Sequence, residues 1–278
     1  MHAKPYLRGF KMKRTLPVLF LLALASCSQY GKALKNPDRS ARFKAAYDYY
    51  QKKDYLRAQP LFESLLPYYR GQDSSEVVYY YYAYCFYGTK DYQTASYHFQ
   101  SFTENFFNST HQTECAYMAV YCKVLDANPS YLDQSETQKT IEELQLFINL
   151  NPTSSYVDLC NAHIDKLRET LRVKAYQNAY LYYKTSDYKA AAVALKNVLR
   201  DYPDLEQKEE TEYLVVRSLY QYAQNSIDSK KTERYQAVLE EIKEYKEDNS
   251  IQSPYWDDVL RIEKQVLREL ETLRKMNI

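Results

Sequence analysis

Five cysteines are the most reactive side chains in this 278-residue chain, and they divide one against four. Cys27 ends an apolar run and follows Leu24, Ala25 and Ser26, so its thiol stands where a secreted chain can be cut and the new terminal residue acylated. Cys85, Cys115, Cys122 and Cys160 lie in the body of the chain. The first three of these fall on aromatic helix faces, where free cysteine behaves as a small buried hydrophobe. An oxidising compartment permits a disulfide, and Cys85 with Cys122, on neighbouring first helices, is the pair it would join. His111 and Cys115 have the i,i+4 spacing of two metal ligands, but no second pair completes a zinc site. Paired carboxylates at Glu142-Glu143 and Glu209-Glu210 sit in charge-mixed helical stretches and read as solvated faces. The sequence has no phosphate loop, no G-x-S-x-G and no H-E-x-x-H. These residues predict a protein that is not an enzyme and holds no metal or cofactor.

The segment before Cys27 is an address. Lys11, Lys13 and Arg14 give a positive flank, and Leu16 to Ala25 form an apolar run of ten, too short to span ~30 Å of hydrocarbon. Leu24-Ala25-Ser26-Cys27 resembles the bacterial lipobox, where signal peptidase II cuts before the cysteine. Residues 1–26 are then a lipoprotein signal peptide, with Met12 able to serve as the start. Diacylglycerol and a fatty acyl chain on Cys27 would anchor the protein, each buried methylene adding ~0.8 kcal/mol. Residues 27–38 read as a lipidated tether, loosely ordered from 28 to 38. Ser28-Gln29 brings no acidic residue after the cysteine, which leaves the periplasmic face of an outer membrane as the default location.

The rest of the chain must position whatever these residues serve, and it is built on a repeat. KDYLRA at Lys53, KDYQTA at Lys90 and SDYKAA at Ser186 share an origin tyrosine: Tyr55, Tyr92 and Tyr188. Phe43, Tyr80 and Tyr176 stand at one common offset before it; Ala46, Ala83 and Ala179 at a second; Tyr47, Tyr84 and Tyr180 at a third; Tyr50, Tyr87 and Tyr183 at a fourth. Ala58, Ala95 and Ala191 follow it, then Phe62, Phe99 and Leu195, then Leu65, Phe102 and Val198. Spacings of three, four and seven put these residues on one helix face. The aspartate before each origin suits an N-cap. Each unit is therefore helix, tight turn, helix, the tetratricopeptide (TPR) arrangement with its period of ~34 residues. Thr137, followed by Thr140, Leu144 and Phe147, and Tyr235, followed by Val238, Ile242 and Tyr245, continue the series. Leu159 to Tyr183 contains no breaker and reads as one long helix. Pro254 to about Met276 reads as a cap, with Trp256, Val259, Ile262, Val266, Leu270 and Leu273 on one side.

Composition agrees. Four glycines disfavour a sandwich or barrel, and 32 tyrosines argue against disorder. A formal net charge of +1 supplies no field for nucleic acid. The expected fold class is all-α: a TPR-type α-α superhelix, or solenoid, of about five helical hairpins with a C-terminal capping helix. Residues 39–152 would be N-terminal repeats and 153–278 C-terminal repeats with the cap.

With its lipobox and a repeat array of this length, the chain resembles the BamD (YfiO) family of outer-membrane assembly lipoproteins, in the version found in Bacteroidetes. Cys27-Ser28-Gln29-Tyr30-Gly31-Lys32, Tyr82-Ala83-Tyr84-Cys85, Tyr117-Met118 with Tyr121-Cys122, Leu132-Asp133-Gln134, Leu144 to Asn149 and Asp201-Tyr202-Pro203-Asp204 carry that resemblance. It implies a non-enzymatic scaffold of the β-barrel assembly machinery. Its partners would be unfolded outer-membrane β-barrel proteins, received by the N-terminal repeats, and the periplasmic domains of a BamA-like central subunit, docked by the C-terminal ones. By that logic Tyr47, Tyr50, Tyr80, Tyr84, Tyr87, Tyr117 and Tyr121, all on first helices, are candidates for a groove holding extended polypeptide. Arg261, Lys264 and Arg268 on the capping helix are candidates for the docking surface. An adaptor lipoprotein for peptidoglycan enzymes or division differs only in partner and is not separable by periodicity. A glycan-binding lipoprotein fits less well, because such proteins carry extra sugar-holding loop regions for which this chain has no room.

Overall fold

The computed structural model describes residues 29–71 and 74–276. Cys27, its lipid and the signal segment lie outside the described residues. Twelve helices are considered below: α1 (Arg39–Gln51), α2 (Tyr55–Glu63), α3 (Leu66–Tyr69), α4 (Ser75–Gly88), α5 (Tyr92–Asn105), α6 (Gln112–Leu125), α7 (Ser135–Leu150), α8 (Val157–Lys184), α9 (Tyr188–Asp201), α10 (Lys208–Gln224), α11 (Asp228–Asp248) and α12 (Trp256–Met276). Among the described residues there is no strand, and no helix is long and apolar enough to cross a membrane. The fold is all-α and built from TPR-like helical hairpins.

The chain forms two compact units. Unit 1 takes the described residues up to Ala127 together with Glu142–Asn161, and unit 2 takes Asn128–Ile141 and the residues from Ala162 onward. In unit 1 the alanines predicted at the helix crossings, Ala46, Ala58, Ala83 and Ala95, are fully buried. Their single methyls let α1 approach α2 and α4 approach α5, and Phe62, Phe99 and Phe102 fill the remaining space with no exposure. Burial of each such ring is worth about 1.5–3 kcal/mol. Unit 2 repeats the scheme: Ala179, Ala191, Leu195 and Val198 form one cluster with Leu214 and Val215. A second cluster joins Tyr235, Val238, Ile242 and Tyr245 of α11 to Val259, Ile262 and Val266 of α12. Trp256, Leu270 and Leu273 pack on its margin, as the cap requires.

The tight turns share one geometry. Lys53, Lys90 and Ser186 all adopt left-handed backbone, with φ of 58°, 64° and 65°. In each turn that residue's N–H returns to Tyr50, Tyr87 or Tyr183, and the following aspartate's N–H returns to Tyr49, Phe86 or Tyr182. These paired bonds close the helix end in the Schellman pattern. The aspartates then begin the next helix. Asp91 and Asp187 accept from the N–H groups of Thr94 and Ala190, as expected of an N-cap. Asp54 departs from that expectation: its side chain caps nothing and instead accepts from Arg57 at 2.9 Å.

Two further expectations change. The second helix of the first hairpin does not carry Leu65 on its face but stops at Glu63, and the chain resumes as α3. Pro60 inside α2 removes a helical donor, and Pro67 is placed where a helix starts rather than continues. The stretch read as a loose tether is instead helical at residues 29–34. Tyr30, Ala33 and Leu34 pack on the first hairpin's core, with the Tyr30 ring edge-on to Tyr49 at 5.9 Å. Arg42 holds the same stretch by donating to the Asn36 carbonyl.

Candidate functional site

The seven candidate tyrosines come together as one row of rings within unit 1. Tyr47 stacks on Tyr50 at 6.5 Å, and both meet Tyr81 edge-on, at 5.2 and 4.9 Å. Tyr81 touches Tyr80 at 5.4 Å, Tyr80 lies 4.7 Å from Tyr84, and Tyr84 is 6.1 Å from Tyr87. Tyr87 reaches Tyr121 at 6.4 Å, and Tyr121 stacks on Tyr117 at 5.4 Å. The row exists because α1, α4 and α6 each place tyrosines three and four residues apart, on one face. Such ring pairs contribute about 0.5–1.5 kcal/mol each beyond their buried area.

A carboxylate organises the middle of the row. Glu114, in the first turn of α6, accepts from the hydroxyls of Tyr80 at 2.8 Å and Tyr84 at 2.5 Å on one oxygen, while His111 Nδ1 lies 3.4 Å from the other. Burial by itself would raise the Glu114 pKa, but hydrogen bonds from Tyr84, Tyr80 and His111 outweigh it and leave the group below the usual glutamate value. Burial, then the Glu114 contact, pushes both phenols well above an ordinary tyrosine. These hydroxyls therefore stay protonated and donate. Tyr80 and Tyr84 face inward with their polar ends engaged, and what they offer a ligand is ring surface. Tyr117 is buried at 6% exposure, its ring lying between Tyr121 and Tyr156, the latter stacked at 4.4 Å. Burial pushes its hydroxyl up to about 12. Tyr47, Tyr50, Tyr87 and Tyr121 are half-buried.

Glu114, Tyr81 and Tyr156 were not among the residues singled out from sequence. Tyr81 falls off the repeated offsets, and an acid in a helix's first turn ordinarily reads as a solvated complement to the helix dipole. His111, weighed as a metal ligand, instead places its ring 4.3 Å from Tyr80. Cys115, its proposed partner, is buried, and no group of three or more metal-ligating side chains gathers among the described residues. Cys85 and Cys122 are free and fully buried, as are Cys115 and Cys160.

Arg261, Lys264 and Arg268 are exposed along α12. Arg261 pairs with Asp258 at 2.8 Å, an exposed contact of small energetic weight. A cavity of about 670 Å³ in unit 2 is lined by charged side chains, where Arg172 pairs with Glu169 and Asp204. Of its two arginines, Arg168 and Arg172, the second is already engaged by the cavity's own carboxylates.

Hairpins of this kind define a helical-repeat scaffold of the TPR-like class. Residues 35–236 match the family described as YfiO, outer membrane lipoprotein. The chain belongs to that family, which makes it an outer-membrane lipoprotein by class. No curated protein matches it significantly.

Proposed function

We propose that this protein is a non-enzymatic scaffold of the β-barrel assembly machinery, carried on the periplasmic face of the outer membrane by lipid on Cys27. The tyrosine row of unit 1 receives extended segments of unfolded outer-membrane β-barrel proteins. The C-terminal helices, with Arg261, Lys264 and Arg268 exposed on α12, dock the central barrel subunit through its periplasmic domains.

The observation that carries this reading is the unbroken ring row on first helices in a member of an outer-membrane lipoprotein family. An extended chain returns a side chain to the same face about every 6.5–7 Å. Ring centroids along the row follow one another at 4.7 to 6.5 Å, no farther apart than that repeat, so an extended segment lying along the row stays within reach of a ring at every step without a one-to-one register. Every aromatic face accepts many side chains, which suits a receiver of varied clients better than a pocket shaped for one.

The test places a photocrosslinker at Tyr47 or Tyr87 in the lipidated protein within cells. Crosslinks to unfolded barrel proteins are expected, and depletion of the protein should lower barrel levels in the outer membrane. Crosslinks confined to peptidoglycan enzymes, with barrel levels unchanged, would sink the proposal.

A further inference from the structure

Unit 2 contains a second version of the arrangement around Glu114. Tyr80, Tyr84, Tyr87, Glu114 and Tyr117 recur, at a constant shift along the chain, as Tyr176, Tyr180, Tyr183, Glu210 and Tyr213. The contacts recur as well. Burial, then the Glu210 carboxylate nearby, pushes the Tyr176 hydroxyl up, as burial and Glu114 push that of Tyr80. Tyr176, Tyr180 and Tyr183 form a stacked run at 5.9 and 6.1 Å. Tyr213 stacks on Tyr255 at 4.3 Å and 16°, matching Tyr117 on Tyr156 at 4.4 Å and 12°.

The two versions differ in charge. Where unit 1 has Gly88 and Tyr121, the same shift brings Lys184 and Arg217. Lys184 Nζ sits 5.4 Å from the centre of the Tyr180 ring. Arg217 is half-buried, its Nη1 donates to the Tyr213 hydroxyl at 3.1 Å, and its guanidinium carbon lies 5.8 Å from the Tyr213 ring centre. The charge of Asp258 reaches Arg217, but its carboxylate accepts from the Tyr213 hydroxyl at 2.8 Å and pairs with Arg261, and it makes no direct bond to the Arg217 guanidinium. Neither Lys184 nor Arg217 forms an ion pair among the described residues. A guanidinium has five donors, and one is used here. A half-buried cation beside aromatic faces, with donors unfilled, is completed by a carboxylate better than by a neutral group.

We propose that unit 2 carries a second polypeptide-binding row, selective for an acidic extended segment. Arg217 pairs with a carboxylate of that segment, Lys184 adds a second positive charge at the rim, and Tyr180 and Tyr183 receive the neighbouring side chain. The proposal rests on the reading that such tyrosine rows hold extended polypeptide. It adds that the two rows sort segments by charge, because the second carries two cations, Lys184 and Arg217, where the first has Gly88 and Tyr121.

The test uses the full mature chain in detergent and three fluorescein-labelled ten-residue peptides, alternating Tyr with Glu, with Lys or with Ser. Fluorescence anisotropy should show the Glu peptide binding at least about tenfold more tightly than the Lys peptide, with an advantage that shrinks as salt rises. Arg217→Gln should weaken the Glu peptide about tenfold and leave the Ser peptide unchanged. Arg217→Lys, which keeps the charge without the fork, should fall between, and helicity by circular dichroism confirms that both variants fold. Unchanged affinity for the Glu peptide in folded Arg217→Gln, with the Ser peptide still bound, overturns the charge-sorting row alone. Failure of all three peptides to bind overturns the wider reading together with it.

Discussion

Glycine at the three left-handed turn residues should make this protein more stable. Lys53, Lys90 and Ser186 sit at φ of 58° to 65°, where a Cβ crowds the backbone and costs about 1–2 kcal/mol. Glycine removes that cost but loosens the unfolded chain, which takes back about 0.5–1 kcal/mol. The difference is a gain of roughly 0.5–1 kcal/mol per site. Little else is lost. The Lys53 and Lys90 side chains are exposed and form no hydrogen bond or ion pair among the described residues. Ser186 gives up only a long contact from the Tyr188 hydroxyl, at 3.3 Å. The sites are well separated, so the triple variant Lys53→Gly, Lys90→Gly, Ser186→Gly should gain roughly 1.5–3 kcal/mol.

Thermal melts give the readout, with about 2–4 °C per kcal/mol expected for a chain of this size. Two compact units need not melt as one, so two probes are followed separately. Far-ultraviolet circular dichroism reports all helices, and fluorescence of Trp256, the single tryptophan, reports unit 2. Ser186→Gly should raise the Trp256 midpoint. The control is Thr89→Gly, one residue before Lys90, where φ is −85°, so glycine relieves no strain and brings its entropic penalty together with loss of the Thr89 hydroxyl's bond to the Phe86 carbonyl. Lys53→Gly and Lys90→Gly no more stable than the parent, or Thr89→Gly equally stabilising, would refute the reasoning.

Three other outcomes follow from the structure. A Cβ on Gly88 would lie 2.4 Å from the Tyr55 ring, so Gly88→Ala should lower the urea midpoint by the equivalent of about 1–2 kcal/mol despite alanine's higher helix propensity, whereas Gly31→Ala, with open space around it, should not. Glu114→Gln should cost about 1–2 kcal/mol at neutral pH, because two phenols then donate to a neutral acceptor. The folded-state pKa of Glu114 is depressed, so its contribution is present above the unfolded value near 4.3 and lost as pH falls through the folded one; urea titrations of parent and variant should converge in that acidic window. Burial pushes Cys85 and Cys122 up to about 12 and Cys160 up to about 11, so the native protein should react with an aromatic disulfide reagent at pH 8 only when urea opens it.

How far the fold could be read from sequence depended on whether a residue repeats. Ala46, Ala83 and Ala179 share one offset from the turn tyrosine, and all three are buried where hairpin helices cross. Thr137 and Thr140 are polar, yet the same offsets placed them inward, and they are 1% and 3% exposed. Small and β-branched residues at helix crossings leave a periodic trace because packing geometry repeats with the hairpin. The candidate site was legible to the same extent: its rings share the offsets, whereas Glu114 and Tyr81 do not. What makes Glu114 central is the meeting of α4 hydroxyls with the start of α6, a contact between elements some thirty residues apart that no local pattern encodes. The left-handed turns were hidden for a related reason, since lysine and serine do not advertise positive φ as glycine does.

The docking of residues 30–34 against the first hairpin sets a leash length. Between Cys27 and Tyr30 only Ser28 and Gln29 intervene, and three fully extended steps reach at most about 10 Å. With acyl chains on Cys27, as proposed, Tyr30 could not stray farther than that from the headgroups, and the first hairpin on which it packs would be held close to the lipid surface.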